Sequence, residues 1–114
     1  MARVLNAPEI AILEWLLSVD FPGVDQPRQQ ARQAAAERDG MIINLVVEPG
    51  APRARVLQRV PVQAVVDGDG FDGGLLLYVD DGLLSALEYW WVTENPPAEM
   101  PPLSAVGNPI ARLR

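Results

Sequence analysis

Three carboxylates, Asp80, Asp81 and Glu88, lie close enough in the chain to suggest paired acid–base chemistry. Such chemistry needs two carboxyl groups at a defined separation in a cleft, one of them with a raised pKa. The two aspartates fall in a predicted tight turn, where aspartate is favoured by the backbone conformation. Glu88 falls within a predicted strand, and an inward Glu88 requires a cationic partner such as Arg55 or Arg59. The alternative is an outward carboxylate on a solvated sheet face.

The glycine- and aspartate-rich segment 67–74 has the composition of a cation-binding loop. An EF-hand loop, however, requires an oxygen ligand, a glycine and a late bidentate glutamate at positions that here hold Phe71, Asp72 and Tyr78. Glycine and aspartate are also the usual residues of long β-connections. We therefore predict a solvated loop and no metal site, with weak calcium binding as the alternative.

The run Tyr89-Trp90-Trp91 places large aromatic side chains on both faces of a predicted strand, because consecutive strand residues point to opposite sides. A single helical layer covers only one face. The other face is sheltered by the C-terminal tail, a second copy of the chain, a partner protein or a small ligand. Tryptophan and tyrosine are enriched at binding hot spots, so we take Glu88, Tyr89, Trp90 and Trp91 as candidate interface residues.

The 114-residue chain contains no histidine, no cysteine and no lysine. Ser-His and Cys-His catalysis, imidazole and thiolate metal sites, Schiff-base chemistry and the P-loop lysine are therefore excluded. No serine stands in a nucleophile-elbow motif. We predict a protein that is not an enzyme and that has no catalytic residue and no cofactor.

The formal net charge is −6, with 15 acidic residues against nine arginines. Nucleic-acid binding draws most of its affinity from cationic contacts, so we predict no nucleic-acid partner; the alternative is a local patch at Arg53, Arg55 and Arg59. No apolar run is long enough to cross a membrane, and no secretion signal is visible at the N-terminus. We therefore predict a cytoplasmic protein without membrane association.

Two helices are predicted near the N-terminus. The first has Asn6 as its N-cap, Pro8 in its first turn, Glu9 three residues after the cap, and an apolar stripe at Ile10, Leu13, Leu16 and Leu17, widened by Ile12 and Trp15. The second spans Gln26 to Glu37, which is rich in the helix formers alanine, glutamine and arginine.

Four strands are predicted from period-two patterns: Met41 to Glu48, Val56 to Val66, Leu75 to Val79 and Leu83 to Val92. Asp81-Gly82 joins the last two as a hairpin turn, and Pro61 indicates an edge strand or a bulge. The residues predicted to point inward are Met41, Ile43, Leu45, Val47, Val60, Val62, Ala64 and Val66.

These elements predict one α+β domain over residues 1–95, with two N-terminal helices packed on one face of a mainly antiparallel four-stranded sheet. The five prolines between Pro96 and Pro109 predict that residues 96–114 form an extended tail without regular structure, laid over the sheet.

Three motifs together resemble a family of small uncharacterised actinobacterial proteins. They are Phe21-Pro22-Gly23 at a helix start, the later D-G-x-L-x-x-L-E hairpin at Asp81 to Glu88, and Met100-Pro101. The resemblance implies a small stand-alone α+β protein, and it supplies no activity or cofactor. Family members that act as immunity or antitoxin partners would fit the acidic charge and small size.

The function that these features predict is a non-enzymatic protein-binding or self-associating module, acting as a homodimer or with another protein. The alternative is a small-ligand binder or a carboxylate-only hydrolase centred on Glu88, in a concave pocket that also contains an arginine.

Overall fold

The computed structural model describes residues 2–39, 42–55, 59–67, 72–92 and 100–111. Within these residues the chain forms two α-helices, α1 (Ala7–Leu16) and α2 (Asp25–Ala31), and a short 3₁₀ helix at Leu103–Ala105. The strands are β1 (Arg3–Val4), β2 (Ala35–Asp39), β3 (Ile42–Val46), β4 (Arg59–Val66), β5 (Gly73–Asp80), β6 (Leu83–Trp91) and β7 (Ile110–Ala111). The predicted α+β class is confirmed.

The strands form one sheet in the order β1-β2-β3-β6-β5-β4-β7, and each neighbouring pair is antiparallel. The prediction of four strands is wrong, because β1, β2 and β7 add three. The predicted strands correspond to β3, β4, β5 and β6. Strand β6, which carries the aromatic run, lies in the middle of the sheet.

The second helix is shorter than predicted, since α2 ends at Ala31 and residues 35–39 form β2 instead. Ala36 pairs with Leu45 of β3, and both side chains are buried in the core. Pairing with the sheet therefore overrides the helical propensity of this alanine-rich segment.

Helix α1 begins at the capping box that the sequence predicts. The Asn6 side chain accepts a hydrogen bond from the Glu9 backbone N–H at 2.9 Å, and the Glu9 carboxylate accepts one from the Asn6 N–H at 2.9 Å. Arg3 in β1 donates two further hydrogen bonds to this carboxylate, each of 2.7 Å, and its pKa is raised by the bonding to Glu9. The buried Glu9 thus fastens β1 to the start of α1.

The apolar stripe of α1 differs from the prediction at one position. Leu13, Leu16 and Leu17 are buried as expected, together with Ile12, but 42% of Ile10 is exposed. Ile10 lies about 200° around the helix axis from Ile12, so both cannot face the same core.

Two tight turns have the conformations that their residues predict. In Phe21-Pro22-Gly23-Val24, the Val24 N–H donates to the Phe21 carbonyl at 3.1 Å and Gly23 has φ +87°, as a type II turn requires. Asp81 and Gly82 both have positive φ, which is the type I′ geometry of a two-residue hairpin. A Cβ atom on Gly82 would also lie 2.8 Å from the Cβ of Arg53 in the neighbouring loop.

Side chains of the long strands alternate between a buried side, which we name the inner face, and a more exposed side, which we name the outer face. The inner face shares one hydrophobic core with α1. Its buried members are Ile43, Leu45, Val60, Val62, Ala64, Val66, Leu75, Leu77, Val79, Leu84, Leu87 and Tyr89. The predicted inward residues of β3 and β4 are confirmed, apart from Met41, which lies outside the described residues.

The described part of the tail is more regular than predicted. Strand β7 pairs with β4 at the sheet edge, and Val106 bridges to Val66. The prolines of this segment precede β7 without entering it, and so they leave its two backbone N–H groups available. Pro61 accordingly stands in a strand that is not at the edge, but β4 does have a register irregularity between Arg59 and Gln63, as the bulge prediction requires.

Candidate protein-binding surface

A bulge in β6 decides which of its side chains reach the outer face. Tyr78 of β5 pairs with Ala86 and Val79 pairs with Leu84, so Ser85 is an extra residue on β6. The bulge lets Leu84 and Leu87, three positions apart, both point into the core. Ala86, Glu88 and Trp90 therefore point to the outer face.

Trp90 lies on the outer face against a glycine of the adjacent strand. Gly74 of β5 is its cross-strand partner, and a Cβ atom on Gly74 would lie 2.7 Å from the indole Nε1. The indole therefore occupies the space above β5 that any other residue at position 74 would fill. With 42% of its surface exposed, Trp90 remains open to solvent on its far side.

Glu88 lies on the outer face among apolar neighbours. The register places it between Ile42 of β3 and Leu76 of β5, and the adjacent outward residues along β6 are Ala86 and Trp90. Its side chain is half-buried. Within the described part of the chain, Glu88 makes no hydrogen bond or ion pair. A carboxylate so placed can accept hydrogen bonds from a cation brought by another molecule.

The other described side chains of the outer face are aliphatic, neutral polar (Asn44, Gln63 and Tyr78) or acidic. Exposed aliphatic side chains extend across it from β3 to β7; they are Ile42, Val46, Val65 and Ile110, with Val65 60% exposed. Among the side chains that the structure describes on this face, the charged ones are the acidic Glu37, Asp80 and Glu88. The surface therefore combines apolar contact area with negative charge.

The other two aromatic candidates do not lie at the centre of this surface. Tyr89 is 1% exposed and belongs to the core, where burial and the nearby Asp72 carboxylate raise the pKa of its phenol. Trp91 pairs with Gly73 at the end of β6 and is part-exposed. Of the four predicted interface residues, Glu88 and Trp90 are adjacent on the outer face, Tyr89 is inside, and Trp91 is peripheral.

Glu88 lies far from Asp80 and Asp81, the two carboxylates considered with it for acid–base chemistry. Asp81 is exposed in the hairpin turn and accepts a hydrogen bond from Arg53 at 3.3 Å. Glu88 stands five residues beyond the start of β6, about 17 Å along the strand. Arg55 is exposed and forms no ion pair with Glu88, and the side chain of Arg59 lies outside the described set. The hydrolase around Glu88 stays a prediction.

Half of the segment 67–74 considered for calcium binding, positions 68–71, lies outside the described residues. Gly73 and Gly74, which the sequence places in this loop, belong to β5. In the described residues, no group of three or more acidic side chains is arranged to hold a metal ion.

Gln30 is an internal residue that the sequence analysis does not identify. It is fully buried on α2, and its amide nitrogen donates to the Pro52 carbonyl at 2.8 Å and to the Gly82 carbonyl at 2.9 Å. Its amide oxygen accepts from the Leu84 N–H at 2.8 Å. Gln30 thus connects α2 to the loop before β4 and to the β5–β6 hairpin. Its neighbours in sequence are equally polar, so the pattern holds no signal that sets it apart.

Comparison with known proteins gives no relative: no family model, no curated protein and no solved structure matches the chain. Across the ranges that the structure describes, neither helix approaches the length and hydropathy needed to traverse a bilayer.

Proposed function

We propose that this chain is a non-enzymatic protein-binding module that presents the outer face of its sheet to a partner. The observation that carries the proposal is the exposed Trp90 beside the unpaired Glu88, surrounded by exposed aliphatic side chains. In this proposal both helices cover the inner face. The shortest dimension of the molecule, 20 Å, supports that arrangement, because one helix layer and one sheet layer are each about 10 Å thick.

The outer face is large enough for a specific complex. The five longer strands, spaced ~4.8 Å apart and about seven residues long at ~3.3 Å per residue, span roughly 24 Å by 23 Å, or about 550 Å² before side-chain relief is counted. A standard interface buries about 800 Å² on each partner. Trp90 is suited to be its hot spot, since a flat and partly desolvated tryptophan contributes most when a partner closes over it.

Charge favours a different protein over a second copy of this one. A two-fold axis through the middle of the outer face would place Glu88 of one copy against Glu88 of the other, and like charges there oppose association. A partner that presents apolar side chains around an arginine or lysine would instead pair with Glu88. The overall charge of −6 favours the same kind of partner. The immunity or antitoxin role implied by the sequence resemblance is a special case, in which that partner is a basic toxin.

The test is partner capture followed by affinity measurement with purified components. Trp90→Ala and Glu88→Arg alter the centre of the outer face, and Leu103→Ala is the matched control, because Leu103 is an exposed apolar residue on the 3₁₀ helix. We expect Trp90→Ala to weaken binding by about 30-fold or more, as expected for a hot spot. Glu88→Arg should abolish binding, and the control should leave it nearly unchanged.

Two results would contradict the proposal. One is a partner whose affinity is the same for folded Trp90→Ala, Glu88→Arg and the wild type. The other is a wild-type chain that sediments as a dimer and becomes monomeric on Trp90→Ala, which would assign the outer face to self-association.

A further inference from the structure

A groove of about 660 Å³ opens on another side of the molecule, between α1 and the segment that joins α2 to β2. Pockets that hold small molecules usually have volumes of roughly 300–1,000 Å³. The groove contains neither Trp90 nor Glu88, so it is separate from the centre of the proposed interface, although Val4 at its edge is in register with Ala35 and Val46. Its lining residues are Val4, Leu5, Ile10, Leu13, Glu14, Leu17, Ser18, Arg28, Ala31, Arg32, Gln33 and Ala34.

The floor of the groove is an apolar stripe of α1, and only part of this stripe is buried in the core. Leu13 and Leu17 are buried beneath it, while Ile10 is 42% exposed at one end. Val4 of β1 lies at that same end and is 84% exposed. These are large aliphatic side chains that the fold itself leaves in water.

Charged side chains also line the groove, from Arg28 beside the C-terminal end of α1 to Arg32, which lies three residues before the Ala35 that pairs with Val4. Arg28 donates to the Leu17 carbonyl at 2.7 Å and to the Asp20 carboxylate at 2.9 Å, which fixes it beside the end of α1. Arg32 follows one helical turn later and is exposed; among the described residues it has no hydrogen-bond or ion-pair partner. Glu14 lines the groove from α1.

We propose that this groove binds an amphipathic carboxylate of the fatty-acid type. The aliphatic tail lies along α1 against Val4, Ile10 and Leu13, and the carboxylate pairs with Arg32. Ile10 and Leu17 are separated by roughly 10 Å along the helix axis, a distance of the same order as an extended medium-length acyl chain. Glu14 on α1 repels an anion, so the carboxylate of the ligand lies on the opposite side of the groove, next to Arg32.

The experiment titrates the isotope-labelled protein with decanoate, and with decyltrimethylammonium as a cation of matched tail, following the amide resonances of α1 and α2. We expect saturable decanoate shifts at Leu13, Leu17 and Arg32, below the concentration at which decanoate forms micelles. Arg32→Gln should weaken binding about tenfold, as the loss of one charge-assisted pair predicts. Arg55→Gln, which removes an exposed arginine outside the groove, should leave the affinity unchanged.

A second variant tests the contact between the groove and the aliphatic tail of the ligand. Ile10→Ser changes an exposed position, so the fold should persist by circular dichroism, and decanoate binding should weaken while the response to Arg32→Gln is preserved. Equal affinity for decyltrimethylammonium, equal weakening by Arg32→Gln and Arg55→Gln, or no saturable shift with decanoate would each overturn the proposal.

Discussion

Replacing Gln30 with leucine removes three hydrogen bonds from the interior while keeping the side chain close to its original size. The amide of Gln30 contacts three backbone groups that are distant in sequence, at Pro52, Gly82 and Leu84, over 2.8–2.9 Å. These groups belong to the loop before β4 and to the β5–β6 hairpin. Gln30→Leu therefore tests whether α2 is held in place by this one polar side chain.

The expected cost follows from the bonds lost and from the groups left behind. Each net hydrogen bond contributes about 1 kcal/mol, and a buried polar group left without a partner costs about 1–3 kcal/mol. The Gly82 carbonyl keeps a bond from the Ala54 N–H at 2.8 Å, and Pro52 is exposed, so the Leu84 N–H is the group left buried without its partner. The apolar gain from leucine offsets about 1–2 kcal/mol. With about 1 kcal/mol for each of the two carbonyl bonds, we expect a net loss of about 2–3 kcal/mol in the free energy of unfolding.

The assay is urea unfolding of Gln30→Leu beside Gln29→Leu, followed by circular dichroism. Gln29 is the preceding residue of α2 and is exposed, so its replacement should change stability by no more than about 0.5 kcal/mol. The expected difference would also lower the melting temperature by roughly 10–15 °C. Equal stability of the two variants would refute the inference that Gln30 fastens α2 to the hairpin.

Three further outcomes are expected. Gly74→Ala should displace the Trp90 indole from β5, which near-ultraviolet circular dichroism detects while the far-ultraviolet spectrum is retained. Gly82→Ala should destabilise the fold more than Gly23→Ala, because both glycines have positive φ but only Gly82 lacks room for a Cβ, and thermal melts rank the pair. Burial raises the pKa of Tyr89, so its neutral phenol stabilises the fold below the ordinary tyrosine pKa of about 10. This contribution is lost as the pH rises further. Because phenylalanine does not ionise, Tyr89→Phe should unfold at a higher alkaline pH than the wild type.

Local signals predict the parts of the fold that are determined by a few neighbouring residues. The capping box at Asn6 and Glu9 depends on a spacing of three residues, and the Asp81-Gly82 turn depends on two residues that tolerate positive φ. The inward residues of β4 follow from strict alternation. In each case the physical cause lies within one element, so the sequence is sufficient.

The elements that the prediction missed depend on distant partners. Residues 35–39 have helical composition and become a strand because Ala36 fits against Leu45 in the core. β1 and β7 are two-residue edge strands that form by pairing with β2 and β4. The partners of β1 and β7 are at least 31 residues away along the chain, and propensity alone gives the wrong state for β2.

The candidate site was predicted in part for the same reason. Alternation along β6 correctly separates Tyr89 from Trp90, but it does not say which of the two faces the core. The bulge at Ser85 and the pairing with β5 decide that, and they also bring Gly74 beneath the indole. The predicted aromatic run lies on β6, and the tertiary structure places Trp90 and Glu88 of this strand on the outer face.

The outer face is difficult to explain by the needs of folding. Ile42, Val46 and Val65 are exposed there, and polar substitutions at exposed positions usually change stability by no more than about 0.5 kcal/mol. Glycine is also a poor strand residue. At position 74, however, its lack of a side chain leaves room for the Trp90 indole to lie over β5. An exposed apolar surface favours aggregation when nothing covers it. The core gains little from these residues and they reduce solubility, which supports the proposal that a second molecule covers the sheet and that the Glu88 carboxylate pairs with a cationic group of that molecule.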